Sequence, residues 1–511
     1  MSSRQLRLDD FPATHKSGRK KWFLIPLMVL AAILAAAAVL LAVKWPFTQA
    51  RVIERLQQAT ATSVQIGNFK EEYFPHPGCV ARQVTFQQGS HALMSIQTLT
   101  IRGSFFGLFT RHVTVVRADG THIVLPALGA GLSLGGHNQS GTVIDQLVAD
   151  GTVLDIEPRN AGGQPTRFLL RQFRLRGLGG ERALPFQTIF KNPTPPGVVS
   201  AEGNFGPWKT GSAASTGVSG RYTFRHADLS VFRGIAGTLS SEGTFRGTFQ
   251  HLRVQGTTDT PDFEAARSGH KFHLSGQFEA LVDATNGDVT LEDAAALLGH
   301  TTVAAQGRIA PAQPRQGKTA SLDLLVRDGR IEDVLLLFVK NSRSPLMGLT
   351  SFRAHITIPP GREDFVRKVK LEGEFGIGSA RFTSPTTEQS LTDLSRRASG
   401  EKEDPERVLS DLRGQVALSG GVATFTHLSF TVPGARAQMQ GRYNLINQRI
   451  NLHGLLHMDN SLANATSGIK SFLLKALGPF LKSNHRGEVL PVSITGTYNR
   501  PSYHVSPQSK K

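Results

Sequence analysis

The sequence predicts a mainly β protein: one long, curled antiparallel β-sheet, open as a groove or gutter, with a few helices and one N-terminal transmembrane helix. Three observations predict it. About twenty segments of the 511-residue chain alternate apolar and polar residues, as strands with one covered face do. Nine of these strands carry a glycine on the apolar side. One long apolar stretch without charge lies near the N-terminus.

The apolar stretch "WFLIPLMVLAAILAAAAVLLAV", residues 22–43, predicts a membrane anchor. At about 1.5 Å per residue it can cross a hydrocarbon core of roughly 30 Å. A cleavable signal peptide is the alternative, but its apolar core is normally only about 7–15 residues long. The basic tail before it predicts a cytoplasmic N-terminus, and Trp22 and Trp45 flank it like interfacial anchors. The body after residue 45 is then expected outside the cytoplasm.

The chain is expected to divide into successive regions, each defined by its composition. They are a basic cytoplasmic tail (1–21), the transmembrane anchor (22–45), an N-terminal β-rich region (46–126), a Gly/Ser-rich loop (127–142), a repetitive β-meander groove (143–385), a polar helical insertion (386–413) and a C-terminal region (414–505).

Local signals refine this division. Residues 48–60 predict a short helix leaving the membrane, 105–111 a helical turn, and 329–341 a helix. Asp119-Gly120 predicts the turn of a hairpin. In residues 467–484 a continuous apolar stripe predicts an amphipathic helix, which either packs on the end of the sheet or forms a cap that touches the membrane.

The glycine-bearing strands share the form x-Gly-x-aromatic, with isoleucine once in the aromatic position. In "AQMQGRYNL", residues 437–445, Gly441 is in phase with Ala437, Met439 and Tyr443. Glycine weakens a strand interior and marks bends or close approaches. On the apolar face it allows that face to become concave, so the pattern predicts a gutter that is apolar inside and polar outside. The nine glycines are Gly203, Gly220, Gly243, Gly247, Gly276, Gly307, Gly373, Gly441 and Gly496.

The apolar face of such a gutter needs a cover, and the predicted amphipathic helices are too few to supply it. A second sheet, giving a sandwich or barrel, and an apolar ligand both remain open. An acyl chain gains about 0.8 kcal/mol per buried CH₂. A chain of ~16 carbons leaving a bilayer therefore needs about 13 kcal/mol of replacement contact. A long groove supplies that contact continuously, which suits a conduit better than a tight binding pocket.

Composition and motifs narrow the function. The formal charge of +18 fits attraction to anionic headgroups or a basic surface, but no basic helix with interleaved aromatic residues predicts a nucleic-acid partner. Cys79 is the single cysteine, so neither an intramolecular disulfide nor a cysteine-based zinc site is expected. The histidines are dispersed, and His453 and His457 lie about 13 Å apart if that segment is a strand. No H-E-x-x-H, G-x-S-x-G or P-loop pattern occurs. We therefore expect no enzyme, no metal and no cofactor.

Three parts of the chain resemble AsmA-like proteins. "VSGRYTFRHADLSVFRGIAGTLSSEGTFRGTFQHLRVQGTTDTPDF", 218–263, resembles the repetitive middle region of that family, and "FEALVDATNGDVTLEDAAALLGHTTVAAQGRI", 278–309, is similar. "FTVPGARAQMQGRYNLINQRINLHGLL", "GIKSFLLKALGPFLK" and "LPVSITGTYNRPSYHV" resemble its C-terminal region. The resemblance implies an inner-membrane anchor and a periplasmic body in a diderm bacterium. It also implies kinship with bridge-like lipid-transfer proteins and with the translocation and assembly module.

The expected function is therefore non-enzymatic lipid handling: a membrane-anchored periplasmic protein shields phospholipid acyl chains in an apolar β-groove. It would contribute to lipid transport or outer-membrane homeostasis, with phospholipids and the inner membrane as partners. The alternative is an envelope scaffold or outer-membrane protein assembly factor, because exposed sheet edges can recruit strands.

The residues predicted to line the groove lie at the apolar positions of the strands; each could equally belong to a dry core. They are Phe205, Val218, Tyr222, Phe224, Phe245, Phe249, Leu274, Phe278, Leu371, Phe375, Met439, Tyr443, Leu445, Ile450, Leu452, Ile494 and Tyr498.

Overall fold

The protein is mainly β, with twenty-five strands in one sheet among the residues described by the computed structural model. The described residues are 45–89, 91–125, 142–157, 165–179, 182–206, 216–232, 234–265, 268–284, 287–312, 317–338, 344, 346–361, 363–382, 410–432, 435–458, 489–497 and 500–505.

The helices in this part of the chain are short and lie between strands or before the first one. They are α1 (Gln49–Thr60), α2 (Phe105–Thr110), α3 (Ile331–Leu335) and α4 (Phe365–Lys368), with a 3₁₀ turn at Leu229–Val231.

The first thirteen strands make up the N-terminal half of the sheet. They are β1 (Ser63–Glu72), β2 (Gly78–Gln88), β3 (His91–Gly103), β4 (His112–Leu125), β5 (Val143–Val148), β6 (Thr152–Ile156), β7 (Thr166–Leu178), β8 (Leu184–Pro193), β9 (Pro196–Phe205), β10 (Gly217–Asp228), β11 (Ile235–Ala236), β12 (Thr238–Thr248) and β13 (Leu252–Ala265).

The remaining strands continue the meander to the C-terminal edge. They are β14 (Lys271–Asp283), β15 (Asp288–Leu298), β16 (Thr301–Pro311), β17 (Lys318–Arg330), β18 (Leu346–Ile358), β19 (Lys370–Phe382), β20 (Ser410–Ser419), β21 (Val422–Val432), β22 (Ala435–Asn444), β23 (Arg449–Met458), β24 (Val489–Thr497) and β25 (Arg500–Val505).

Most strands pair with their sequence neighbours in antiparallel fashion, because short turns connect them. The two-residue strand β11 pairs with β13 beside β12, so β10 pairs directly with β12. With neighbouring strands about 4.8 Å apart, the sheet measures about 100 Å along its contour.

The expectation of a purely antiparallel sheet is wrong at one junction. β5 and β6 both run parallel to β4, with His112 opposite Val143 and His122 opposite Val153. Both strands are antiparallel to β7, so together they act as one broken strand between β4 and β7. Val143 therefore lies beside the start of β4, although β4 ends at Leu125 at its other end.

The hairpin expected at Asp119-Gly120 is also wrong. β4 continues through this dipeptide, and Gly120 with φ +64° forms an irregularity opposite Gln97. The positive φ that Asp-Gly favours is thus used within a strand, not in a turn. The helices expected at 48–60 and 105–111 are confirmed as α1 and α2, and the one expected at 329–341 is the shorter α3.

Several predictions concern residues outside those described. They are the basic tail, all of the anchor except Trp45, the Gly/Ser-rich loop up to residue 141, residues 386–409 of the polar insertion, the amphipathic helix at 467–484, and Tyr498. Residues 410–413, assigned to the insertion from sequence, begin strand β20. Among the described helices, none has the length and apolar character to span a membrane.

Packed cores lie toward the two ends of the sheet. At the N-terminal end, Val52 of α1 packs with Val84, Phe86 and Leu99 from the first strands. Toward the C-terminal end, Ile331 of α3 packs with Ile377 and neighbouring residues of β18–β24. A smaller cluster around Val369, Leu418 and Ala423 adjoins α4. Between these ends the inward side chains of β8–β16 are mostly half-buried. This middle section is where an accessible apolar face exists.

Candidate apolar groove

A row of two aromatic residues and two glycines crosses strands β8, β9, β10 and β12. Phe186 pairs with Gly203, Gly203 with Gly220, and Gly220 with Phe245. The Phe186 and Phe245 rings have centroids 6.5 Å apart, and a methyl group on Gly220 would lie 2.9 Å from Phe245 Cζ. The two rings therefore lean together over the two glycines.

The next row repeats the arrangement two strands further along, on β10, β12, β13 and β14. Tyr222 pairs with Gly243, Gly243 with Gly256, and Gly256 with Phe278. A methyl group on Gly256 would lie 2.7 Å from the Tyr222 hydroxyl oxygen, which is 3.0 Å from Ser241 Oγ. The x-Gly-x-aromatic spacing supplies most members of both rows, because it places an aromatic residue on the same face as its own glycine. The strand register then pairs each motif glycine of these rows with a glycine of a neighbouring strand.

The glycines of the motif lie on the inside of a bend. At eight of the nine positions, all except Gly496, an added Cβ would lie within 3.0 Å of the backbone of a neighbouring strand or turn. Gly441, with φ +149°, would collide in this way with the Asn451 carbonyl oxygen. A neighbouring backbone so close to the missing side chain means that the sheet bends toward that side. Gly441 shares its face with buried Met439, so the bend is toward the apolar face.

The same coiling brings distant connections together. Gly234, in the turn after β10, contacts Phe365 of α4 so closely that a Cβ there would overlap the Phe365 side chain. Seven strands, β12–β18, separate β10 from β19 in the sheet, roughly 40 Å if it were flat. The turn after β10 and the connection from β18 to β19 lie at opposite ends of the strands. Phe365 packs against Leu371, a residue of the apolar face. The sheet therefore coils around its apolar face between β10 and β19.

Most of the predicted lining residues are half-buried, neither exposed nor enclosed. This holds for Phe205, Tyr222, Phe224, Phe245, Phe249, Leu274, Phe278, Leu371, Phe375, Tyr443, Leu445, Ile450, Leu452 and Ile494. Val218 and Met439 are buried, at 7% and 4% exposure, so they contribute packing and not an accessible wall.

The predicted lining residues divide into two groups by what covers them. Phe375, Met439, Leu452 and Ile494 pack in the core that includes Ile331 of α3. Leu371 and Leu445 pack in the cluster beside α4. In both places a short helix and its neighbours occupy the space over the sheet. Tyr443, Ile450 and the predicted residues from Phe205 to Phe278 belong to none of the core clusters of the described chain.

Sequence reasoning missed three aromatic residues on this face. Phe186 and Phe190 lie on β8, and Phe168 on β7 has its ring centroid 6.1 Å from that of Phe190. The segments "PFQTIF" and "TRFLLRQF" do not alternate strictly between apolar and polar residues, and no glycine precedes these three aromatic residues at a spacing of two. Only the pairing of β8 with β7 and β9 places them on this face.

The opposite face is polar and contains a concavity of about 1040 Å³ along β7–β15. A single cross-strand row contributes Gln187, Glu202, Arg221, Thr244 and Gln255 to its lining. Tyr222 and Phe278 are the only predicted groove residues that line it. All four members of the second row, Tyr222, Gly243, Gly256 and Phe278, line the concavity, which therefore lies against the strands that carry this row.

Charge is segregated between the two faces. On the polar face Arg221 pairs with Glu202, and Arg253 pairs with Glu279 and, at 3.2 Å, with Glu292. The Arg253 guanidinium lowers the pKa of the Glu279 carboxyl. On the apolar face, burial raises the pKa of the Tyr222 phenol, which therefore stays neutral. The apolar face of the middle section thus offers rings and aliphatic side chains and little charge.

No group of three or more potential metal ligands occurs in the described part of the chain.

Fold and site define a class: a long, coiled β-sheet protein with an apolar concave face and a polar outer face. Comparison with protein-family models, with curated proteins and with solved structures found no match to this chain.

Proposed function

We propose that this protein shields phospholipid acyl chains on the concave apolar face of its sheet, without catalysing a reaction. The aromatic–Gly–Gly–aromatic rows of β8–β14 carry the proposal. They make the face concave and apolar, and leave its side chains half-buried where no core cluster covers them. An acyl chain is a fitting cover, because every CH₂ that contacts this face recovers about 0.8 kcal/mol of burial.

The proposal also assigns the protein a location in the cell envelope. Residues 22–45 anchor the chain in the bacterial inner membrane, with a cytoplasmic N-terminus and a periplasmic body, as the resemblance to AsmA-like proteins implies. The protein then contributes to phospholipid transport or to outer-membrane homeostasis. A contour of about 100 Å gives lipids a long path away from the membrane surface.

Site-specific photocrosslinking tests the proposal. A photoreactive amino acid replaces Tyr222, Phe278 or Tyr443 in the full-length protein, expressed in a diderm host and irradiated in cells. We expect phospholipid adducts at these positions. Thr223, Gln277 and Arg442 are matched controls, because each follows or precedes a test position and points to the opposite face of the same strand.

The outcomes separate a groove from a dry core. Adducts at the test positions with none at the controls support the conduit. Absence of adducts at all three, with the protein well expressed and folded, would exclude it. Equal adducts on both faces would indicate nonspecific membrane contact.

A second candidate function rests on the C-terminal edge. Among the described residues, β25 has a strand partner, β24, on one side only. An edge strand can recruit another chain by strand addition, as an envelope scaffold or outer-membrane protein assembly factor would. Pulldown of specific outer-membrane proteins by the wild-type protein, with loss of this binding in Ser502→Pro or His504→Pro variants, would favour this function.

A further inference from the structure

Four exposed aromatic side chains lie together at one end of the first strands. Tyr73 and Phe74 are in the connection from β1 to β2, and Phe105 and Phe106 are in α2, between β3 and β4. Their exposed fractions are 58%, 84%, 43% and 78%. We call these four residues the aromatic rim. Such exposure is unusual for large apolar side chains in one place and marks an interaction surface.

The rim connections lie at the same end because strands β1–β4 alternate in direction. Glu72 pairs with Gly78 and Gly78 with Arg102, and the Gly103 N–H donates to the Pro77 carbonyl at 2.7 Å. The two connections are therefore joined directly through the backbone.

A helix cap and a ring contact support the two connections of the rim, although its rings are exposed. Ser104 caps α2 by accepting a hydrogen bond from the Gly107 N–H at 2.9 Å. Tyr73 packs on Trp45, with ring centroids 4.8 Å apart, and Trp45 also contacts Phe47 at 5.7 Å. Trp45, expected from sequence at the membrane interface, is itself only 5% exposed. Tyr73 thus covers Trp45, and Tyr73 is the exposed ring at the place where the sequence predicted an exposed Trp45.

The position of the rim in the chain indicates what covers it. The apolar stretch 22–43 ends two residues before Trp45, and α1 begins at Gln49. The chain therefore reaches the rim directly from the segment assigned to the membrane. Charged groups border the rim: Glu71 accepts a hydrogen bond from the Tyr73 hydroxyl, and Arg102 and Arg111 are exposed beside α2. Aromatic rings with a charged border are typical of protein surfaces at lipid headgroup level.

We propose that the aromatic rim inserts into the interfacial layer of the bilayer that holds the anchor, so that the first strands stand on the membrane. The proposal rests on the proposed anchor, but not on lipid occupancy of the groove. It gives the first strands a fixed orientation, with the ends of β1–β4 that carry the rim at the bilayer surface.

Fluorescence of full-length protein in phospholipid vesicles tests this contact. An environment-sensitive fluorophore is attached at Phe74→Cys or Phe106→Cys, and at Phe232→Cys as the control. Phe232 is also an exposed phenylalanine, at 42%, but it follows β10, several strands away. The buried Cys79 is present throughout, and unsubstituted protein measures its labelling. Spin-labelled phospholipids with a shallow label act as quenchers.

We expect blue-shifted emission at positions 74 and 106, with quenching at least about threefold greater than at position 232. Water-like emission at both rim positions would overturn the proposal, as would failure of the full chain to sediment with vesicles. Equal quenching at position 232 would also overturn it, because contact would not be confined to the rim. Shielding without quenching by lipid would assign the rim to a second copy or to another segment of the chain.

Failure of the groove proposal can be distinguished from failure of the membrane contact of the aromatic rim. Quenched rim probes without lipid adducts at Tyr222 and Phe278 would support membrane seating and reject the conduit. The reverse result would reject only the seating. A Phe74→Ser/Phe106→Ser double variant, labelled at Phe105→Cys, gives a further check: its quenching should decrease while circular dichroism stays unchanged.

Discussion

Phe186 and Phe245 meet with ring centroids 6.5 Å apart although two strands, β9 and β10, lie between the strands that carry them. In a flat sheet those strands would be about 14 Å apart. The intervening positions in the row are Gly203 and Gly220, so no side chain stands between the rings. This contact explains how a sheet of ordinary alternating strands acquires a concave apolar face, and it motivates the first prediction.

Gly220→Val is expected to loosen the pairing of β9 with β10. Its Cβ would collide with the Glu202 carbonyl oxygen, and overpacking of this kind costs about 1–3 kcal/mol. Hydrogen exchange of β9 and β10 peptides should therefore accelerate. Gly378→Val is the control, since this glycine on β19 has open space around its Cβ position. Equal effects of the two substitutions would contradict the role given to the close approach.

Phe245→Glu/Phe278→Glu is expected to abolish lipid adducts at Leu274 while the protein still folds and inserts. Two carboxylates on the concave face would have to be desolvated by passing acyl chains. The matched control is Thr244→Glu/Gln277→Glu, which adds the same charge on the opposite face of the same strands. Photocrosslinking yield is measured for both, with circular dichroism as the check on folding. Similar yields in the two variants would argue against lipid on this face.

Asp155 is expected to make the parallel junction sensitive to acid. Arg167 bonds the buried carboxylate through Nε at 2.7 Å and Nη2 at 2.8 Å, and His122 Nε2 lies 2.9 Å from it. The Arg167 hydrogen bond holds the Asp155 pKa well below its ordinary value, although burial opposes this shift. Because the folded-state pKa is lowered, the stabilisation is complete above the unfolded-state pKa of about 3.9 and decreases as pH falls below it.

Hydrogen exchange of β6 and β7 should therefore accelerate as the pH falls below about 4, after correction for intrinsic exchange rates. Asp155→Asn should flatten this dependence and lower local stability at neutral pH by about 1–2 kcal/mol, a modest loss because Arg167 is largely exposed. A pH dependence that persists in Asp155→Asn would assign it to another group.

Cys79 is expected to resist thiol reagents in the native protein. The side chain has no exposed area, and burial, with smaller contributions from Glu71 and Glu72, raises its pKa to about 12. Since the thiolate is the reactive form, iodoacetamide at pH 8 should modify it only when the core under α1 opens. The Phe232→Cys variant should gain a rapidly modified second site. Immediate modification of the wild-type protein in the absence of denaturant would show that this core is loose.

Sequence by itself determined the properties that depend on a period of two. The alternation in "AQMQGRYNL" places Gly441, Met439 and Tyr443 on one face whatever their partners are, and the same holds for the other strands of the motif. The mainly β fold and the position of the glycines on the apolar side were predictable for this reason. The short helices α1 and α2 were predictable from other, equally local signals. Side-chain direction in a strand follows from the backbone of that strand alone.

Tertiary structure decided everything that depends on register between distant segments. It runs β5 and β6 parallel to β4, where the Asp119-Gly120 dipeptide had predicted a turn. It encloses Met439 beneath α3 and leaves Phe245 half-buried, although both have the same local pattern. It also brings Phe186 over the glycines to Phe245 and places Tyr73 outside Trp45. These relationships follow from which strand becomes the neighbour of which, and no local periodicity carries that information.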